Sequence, residues 1–132
     1  MSKPVLESLT PNVIVDDVNQ TVEYYTKFLG FALVASVPES GMLNWAMMTR
    51  DGVTLMFQSL HSLNEDMPSL RIDKKGSLGT FFVKMKGIEQ LHSELLGKVD
   101  IASEMRVTFY GMKEFTIRDL NGYFITFAEE IG

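Results

Sequence analysis

The chain has 132 residues, 45% of them hydrophobic and 22% charged, with no cysteine and a formal net charge of −5. This is the length of one domain, here residues 1–132, able to bury about 65–70% of its unfolded surface. It excludes a disulfide framework and a thiolate metal site, and the acidic balance argues against a nucleic-acid partner. No apolar run nears the ~20 residues of a membrane span, and the opening MSKPVLESL lacks a signal-peptide core, so a cytoplasmic protein with no membrane partner is expected.

Residues 10–16, TPNVIVD, are a short apolar run suited to a strand, and Asp16-Asp17 then offers a helix N-cap. Val18, Val22, Tyr25 and Leu29 recur at helical spacing until Gly30 ends the helix. Strands are expected over 31–37, 42–49 and 53–59, separated by the turn PESG (38–41) and the tight turn Asp51-Gly52. Residues 60–77 read as a connecting loop carrying His61, a helical turn near Ser62 to Asp66, Met67-Pro68 and a Lys74-Lys75-Gly76 cluster. A strand over 80–85 follows, then a helix marked by Ile88, Leu91 and Leu95 and closed by Gly97, then a strand over 101–107. The stretch GMKEFTIRDLNGYFITFAEE (111–130) is a hairpin, since Asn121-Gly122 between alternating apolar runs is a strong turn signal.

The second half repeats the first. A gapless overlay puts Thr10 on Thr80, Val18 on Ile88, Trp45 on Phe115, Gly52 on Gly122 and Phe57 on Phe127. Module one is then about 8–60, the connecting loop 61–77, and module two about 78–130. Strand side chains alternate between faces. Odd-numbered residues such as Val13, Trp45, Met47, Phe57, Phe115 and Phe127 are core-type. Even-numbered ones, among them Asn12, Ala46, Met48, Met56, Gln58, Phe82, Glu114 and Thr126, form a mixed face of the kind that lines small-molecule sites. Nine methionines suit an adaptable apolar surface or ordinary core filling.

With NVIVDDVNQTVEYYTKFLGF at one end and YGMKEFTIRDLNGYFITF at the other, the chain resembles the vicinal oxygen chelate superfamily over about residues 8–130. That superfamily is also called the glyoxalase, bleomycin-resistance and extradiol-dioxygenase superfamily. The resemblance implies an α+β fold of two tandem β-α-β-β-β modules forming a curved mixed sheet around a cleft. It also implies a homodimer, sometimes with modules exchanged between chains. Metal-using members keep ligands at places that fall here on Thr10, Met56, Thr80 and Thr126. Hydroxyls and a thioether hold a divalent metal poorly. A metal is therefore disfavoured and no cofactor is expected.

Other chemistry is sparse. There is no Gly-rich phosphate loop, and no histidine stands where it could activate a serine or threonine. His61 reads as a loop residue, His92 as a surface position, and Lys84 as a strand-end side chain reaching for water. Asn12, Met56, Gln58, Phe82, Glu114, Arg118, Phe124 and Thr126 are the candidate ligand contacts, with Phe82 and Phe124 as stacking rings and Trp45 assigned to the core. Glu114 and Arg118 share a strand face, ~13 Å apart. Glu114 is the one candidate base, because Phe82, Met56 and Phe124 beside it would desolvate and raise its carboxyl. The leading expectation is a metal-independent binder that sequesters a cationic or aromatic compound. The alternatives are a lyase- or isomerase-like enzyme using a carboxylate base or an atypically held metal, and a protein that keeps the fold only for assembly or regulation.

Overall fold

The computed structural model describes residues 3–5, 7–66 and 80–132. Module one runs β1 (Asn12–Val15), α1 (Val18–Lys27), β2 (Ala32–Val37), β3 (Trp45–Arg50), β4 (Val53–Ser59). The short helix α2 (Leu60–Asp66) follows, starting two residues before the expected helical turn and ending with it. Module two runs β5 (Thr80–Lys84), α3 (Ile88–Leu95), β6 (Asp100–Val107), β7 (Met112–Arg118), β8 (Phe124–Glu130). Met67-Pro68 and the Lys74-Lys75-Gly76 cluster lie outside the described residues. Each module forms a four-stranded mixed sheet of the same topology, β1-β4-β3-β2 and β5-β8-β7-β6, with only the first pair parallel.

The helices start and stop for local reasons. Asp17 caps α1 by accepting from the Gln20 amide at 2.9 Å, while the amide of Phe31 reaches back to the Tyr25 carbonyl at 3.0 Å around Gly30 at φ +70°. Ten residues are too few to hold a helix in water. Burial of Val18, Tyr25 and Leu29 holds it, each apolar side chain contributing about 1.5–3 kcal/mol. Helix α3 has no local cap. Instead Glu129 of β8 accepts from the Ile88 amide at 2.9 Å, so a strand of the same module fixes the helix start.

One shared core joins the modules. Val13, Val15 and Phe57 of the first sheet, Phe115, Ile117 and Phe127 of the second, and the stripes of α1 and α3 belong to a single buried cluster. Both mixed faces therefore look away from it. Three hydrogen bonds run from the β7–β8 loop of module two into module one. The Tyr25 hydroxyl donates to Asp119 Oδ2 at 2.7 Å, the Asn121 side-chain amide to Thr21 Oγ1 at 2.9 Å, and the Tyr123 hydroxyl to the Ile14 carbonyl at 2.7 Å. Asp119 also accepts the amides of Asn121 and Tyr123, both at 2.9 Å, so this buried carboxylate is held from three sides.

The gapless overlay fails in β3, and also in β2, whose Ala32 matches Asp100 and not Ala102. Trp45 pairs with Gln58 and Ala46 with Phe57, whereas Glu114 pairs with Ala128 and Phe115 with Phe127. Since Phe57 still matches Phe127, the structural mate of Trp45 is Glu114 and not Phe115. The cause is the turn: Arg50 pairs with Val53 across Asp51-Gly52 alone, while Arg118 and Phe124 are joined by Asp119 to Tyr123. A slip of one residue turns a whole strand over. Ala46 and Met48 are fully buried in the core, and Trp45 and Met47 move to the mixed face, against the parity expected from the sequence.

Candidate functional site

The mixed face of the first sheet carries Asn12, Ile14, Met56 and Gln58, with Trp45 and Met47 added by the slip. Asn12 lies opposite Met56 in the parallel β1–β4 pair, and its amide donates to Gln58 Oε1 at 2.9 Å. Gln58 is buried and donates in turn to Ser62 Oγ of α2 at 3.2 Å, so the connecting helix orients the amide. The indole of Trp45 is half-buried beside this pair, on the same face. Aromatic surface, two thioethers and a fixed amide thus share one wall.

The second wall has different chemistry. Phe82, Thr126 and Thr116 form one row across β5, β8 and β7, the two hydroxyls 2.8 Å apart. Phe82 is 55% exposed, although it sits in the middle of a strand. Lys84, Ala128 and Glu114 form the next row. Glu114 is buried: the Tyr110 hydroxyl donates to Oε2 at 2.5 Å, and Arg106 Nη2 lies 3.8 Å from Oε1. That hydrogen bond holds the Tyr110 phenol above its usual range, because ionising it would remove the donor facing a carboxylate. Arg118 stacks its guanidinium over the Phe124 ring at 4.9 Å and pairs with Asp100 at 3.8 Å. Bulges in the β2–β3 and β6–β7 pairs bend and twist both walls.

The expected contact residues therefore fall into two groups: Asn12, Met56 and Gln58 on the first wall, and Phe82, Glu114, Arg118, Phe124 and Thr126 on the second. Within one chain the walls do not meet. Met56 belongs to the other sheet and is no neighbour of Glu114, whose surroundings are Tyr110, Arg106 and Ala128. Tyr110 escaped the sequence reading because it precedes β7; only the spacing of four to Glu114 hinted at the contact. His92 is less exposed than a surface residue, its side chain at 21% and its ring edge-on to Phe115 at 5.1 Å, paired with Glu104 at 3.0 Å. His61 pairs with Glu65 along α2, and Lys84 pairs with Glu130 at 2.5 Å.

Two of the four positions at which the resemblance places metal ligands, Met56 and Thr126, have described side-chain surroundings. Met56 offers a thioether next to an amide, and the Thr126 hydroxyl is engaged with that of Thr116. The side chain of Thr80 lies outside the described residues, and Thr10 precedes β1. No three His, Cys, Asp or Glu side chains converge among the described residues. No described helix is long and apolar enough to cross a membrane.

The paired modules agree with comparison to known families. The model of the glyoxalase/bleomycin resistance protein/dioxygenase superfamily matches residues 7–127. The chain belongs to that superfamily. Its glyoxalase fold recurs in TioX from Micromonospora sp. ML1, with 16% identity, 95% of this chain and 99% of that one covered, and a TM-score of 0.73. A superfamily member from Sphaerobacter thermophilus DSM 20745 aligns at 17% identity over 96% and 98% of the two chains, with a TM-score of 0.74. A glyoxalase-related enzyme from Clostridium phytofermentans gives 16% identity, 97% and 98% coverage, and a TM-score of 0.73. At these identities the likeness to solved structures concerns the fold alone. No curated protein matches the sequence.

Proposed function

We propose that this glyoxalase-fold protein binds a small cationic or aromatic molecule on its mixed sheet faces, without a metal ion, and that a second copy of the chain closes the site. The observation that carries this reading is Phe82. A mid-strand phenylalanine 55% exposed on a sheet face is an aromatic platform without a cover among the described residues. By sheet spacing, the buried Glu114 carboxyl lies about 12 Å away on the same wall, enough to place a flat ring on Phe82 and a cationic arm toward Glu114. Trp45 and Met47 of the other wall supply a second apolar surface, and two walls that look outward from one chain can meet across a dimer. The donor set at Met56 and Thr126 supports binding without metal.

The test is a fluorescence titration of the full chain with a cationic aromatic dye, alongside sedimentation to read the oligomeric state. Phe82→Ala and Glu114→Gln are each expected to weaken binding about tenfold or more, which corresponds to about 1.4 kcal/mol. Unchanged affinity in both variants, with the fold intact, overturns the reading. Metal analysis finding one tightly held divalent ion per chain overturns its metal-free part.

A second reading rests on the 2.5 Å contact of Tyr110 with Glu114. A hydroxyl and a carboxyl this close form a charge-assisted pair suited to passing a proton to and from a bound substrate, as a lyase or isomerase requires. Tyr110→Phe separates the two readings. It leaves the affinity of a sequestering protein nearly unchanged, whereas an enzyme retains binding and loses turnover.

A further inference from the structure

A cavity of about 500 Å³ lies between the modules on the core side of the sheets, the side opposite the mixed faces. Its floor is apolar and buried: Tyr25, Leu29, Leu55, Leu91, Ile125 and Phe127. Its size is in the usual range for ligand pockets, about 300–1,000 Å³. The repeat explains why it exists. In module two the β7–β8 loop reaches α1 and the end of β1, where Asn121 meets Thr21 and the Tyr123 hydroxyl meets Ile14. The matching positions in the other direction are Leu91 of α3 and Lys84 of β5, and both line the cavity. The residue of module one that matches Tyr123 is Val53, at the end of a two-residue turn. One hairpin fills its groove with a tyrosine, and the other leaves its groove open.

The rim gives the cavity a charge. Arg50 and Lys86 stand there against one acid among the described residues, Asp51, in a chain that is acidic as a whole. The Lys84 ammonium is engaged by Glu130. Arg50 is fixed in place: its Nη1 donates to the Leu29 carbonyl at 2.8 Å, and its Nε lies 3.7 Å from Asp51. The Nη2 group makes no hydrogen bond or ion pair among the described residues. We infer that this inter-module cavity is a second ligand site, which takes an apolar monocarboxylate, its hydrocarbon or aryl body among Leu91, Ile125 and Phe127 and its carboxylate at Arg50 and Lys86. Arg50 is preorganised for this by its bond to the end of α1, so little side-chain freedom is lost on binding. The site is independent of the mixed faces, and neither inference depends on the other.

The experiment is an NMR titration of the methyl-labelled full chain with phenylbutyrate, phenylbutanol and phenylbutylammonium. Phenylbutyrate is expected to bind saturably, shifting the methyls of Leu91 and Ile125 and leaving those of Met47 and Met56 unmoved. The alcohol is expected to bind about tenfold more weakly for want of charge-assisted hydrogen bonds, and the ammonium more weakly still. Val53→Tyr, which gives module one the residue that module two uses as a plug, is expected to abolish binding while preserving the fold. Methyl shifts confined to Met47 and Met56, equal binding of the alcohol or the ammonium, no saturation at the probe's solubility limit, or full affinity in a folded Val53→Tyr variant would each overturn the inference. The methyl map of the unsubstituted chain decides the location even where the variant does not fold.

Discussion

The two modules share topology and differ at one hairpin turn, and much of the local chemistry follows from that difference. Module one turns on Asp51 and Gly52, with the Asp51 side chain 91% exposed. Module two turns on Asp119 to Tyr123, with the carboxylate at 4% exposure, accepting three hydrogen bonds. The longer loop docks one module on the other. The shorter turn leaves a cavity and slips β3 by one residue, so that an indole stands where the sister module holds a carboxylate. A repeat preserves elements more faithfully than it preserves faces.

The strongest way to break this asymmetry is at the acid that docks the loop. Asp119→Ala leaves the Tyr25 hydroxyl and two amides without their acceptor and is expected to cost about 3 kcal/mol. Its counterpart Asp51→Asn, at an exposed position with φ +51° that asparagine tolerates, is expected to cost less than about 0.5 kcal/mol. Urea midpoints of the two variants measure the contrast, and equal losses would mean that the long loop does not hold the modules together.

The helix ends come next. An alanine methyl at Gly30 would sit at φ +70° and 3.1 Å from Arg50 Nη1, so Gly30→Ala is expected to cost about 2 kcal/mol. Gly97 has φ +80° with nothing within 4 Å of a methyl, and Gly97→Ala is expected to cost about 1 kcal/mol, the backbone contribution alone. Thermal unfolding of both variants reads the difference as the cost of displacing Arg50.

Neighbouring tyrosines on α1 offer a finer comparison. Tyr25 donates to Asp119, whereas the Tyr24 hydroxyl is buried with no hydrogen-bond partner among the described residues. Tyr25→Phe is expected to cost about 1–1.5 kcal/mol, and Tyr24→Phe to be neutral or stabilising. Burial, and then the charge of Asp119, push the Tyr24 phenol from 10.0 up to about 12 and hold that of Tyr25 well above its usual value. Between pH 10 and 12 the unfolded chain gives up these protons while the folded chain keeps them, so stability is constant below pH 10 and falls above it. Alkaline titrations of the two variants should show a shallower fall than the unsubstituted chain. The smallest expected effect is at the caps: Asp17→Ala at about 1 kcal/mol and Glu129→Gln at about 0.5 kcal/mol, read by chemical denaturation.

The hairpin around Asn121-Gly122, the helix ended by Gly30 and the duplicated order of elements were all legible in the residues, because period, cap and turn each leave a local mark. The faces of β1, β4, β7 and β8 were legible for the same reason. Strand β3 was not. Trp45, Ala46, Met47 and Met48 are apolar without alternation, so parity carried no signal, and the number of turn residues beyond the strand decided which of them went inward. The contact of Tyr110 with Glu114 was equally hidden, since it joins a turn residue to a strand residue across a bend with no periodicity. Nor could a pattern along the chain indicate that the mixed faces look outward, because that depends on how two modules stack.

The loop from Asp119 to Tyr123 also bears on how such a molecule can be built. Its side chains close the groove on the module it faces. Two copies of module two fused head to tail would therefore each plug the other, giving a symmetric protein with no inter-module cavity. Two copies of module one would leave both grooves open. Shuffling these halves is a route to scaffolds with none, one or two pockets on an unchanged framework of strands.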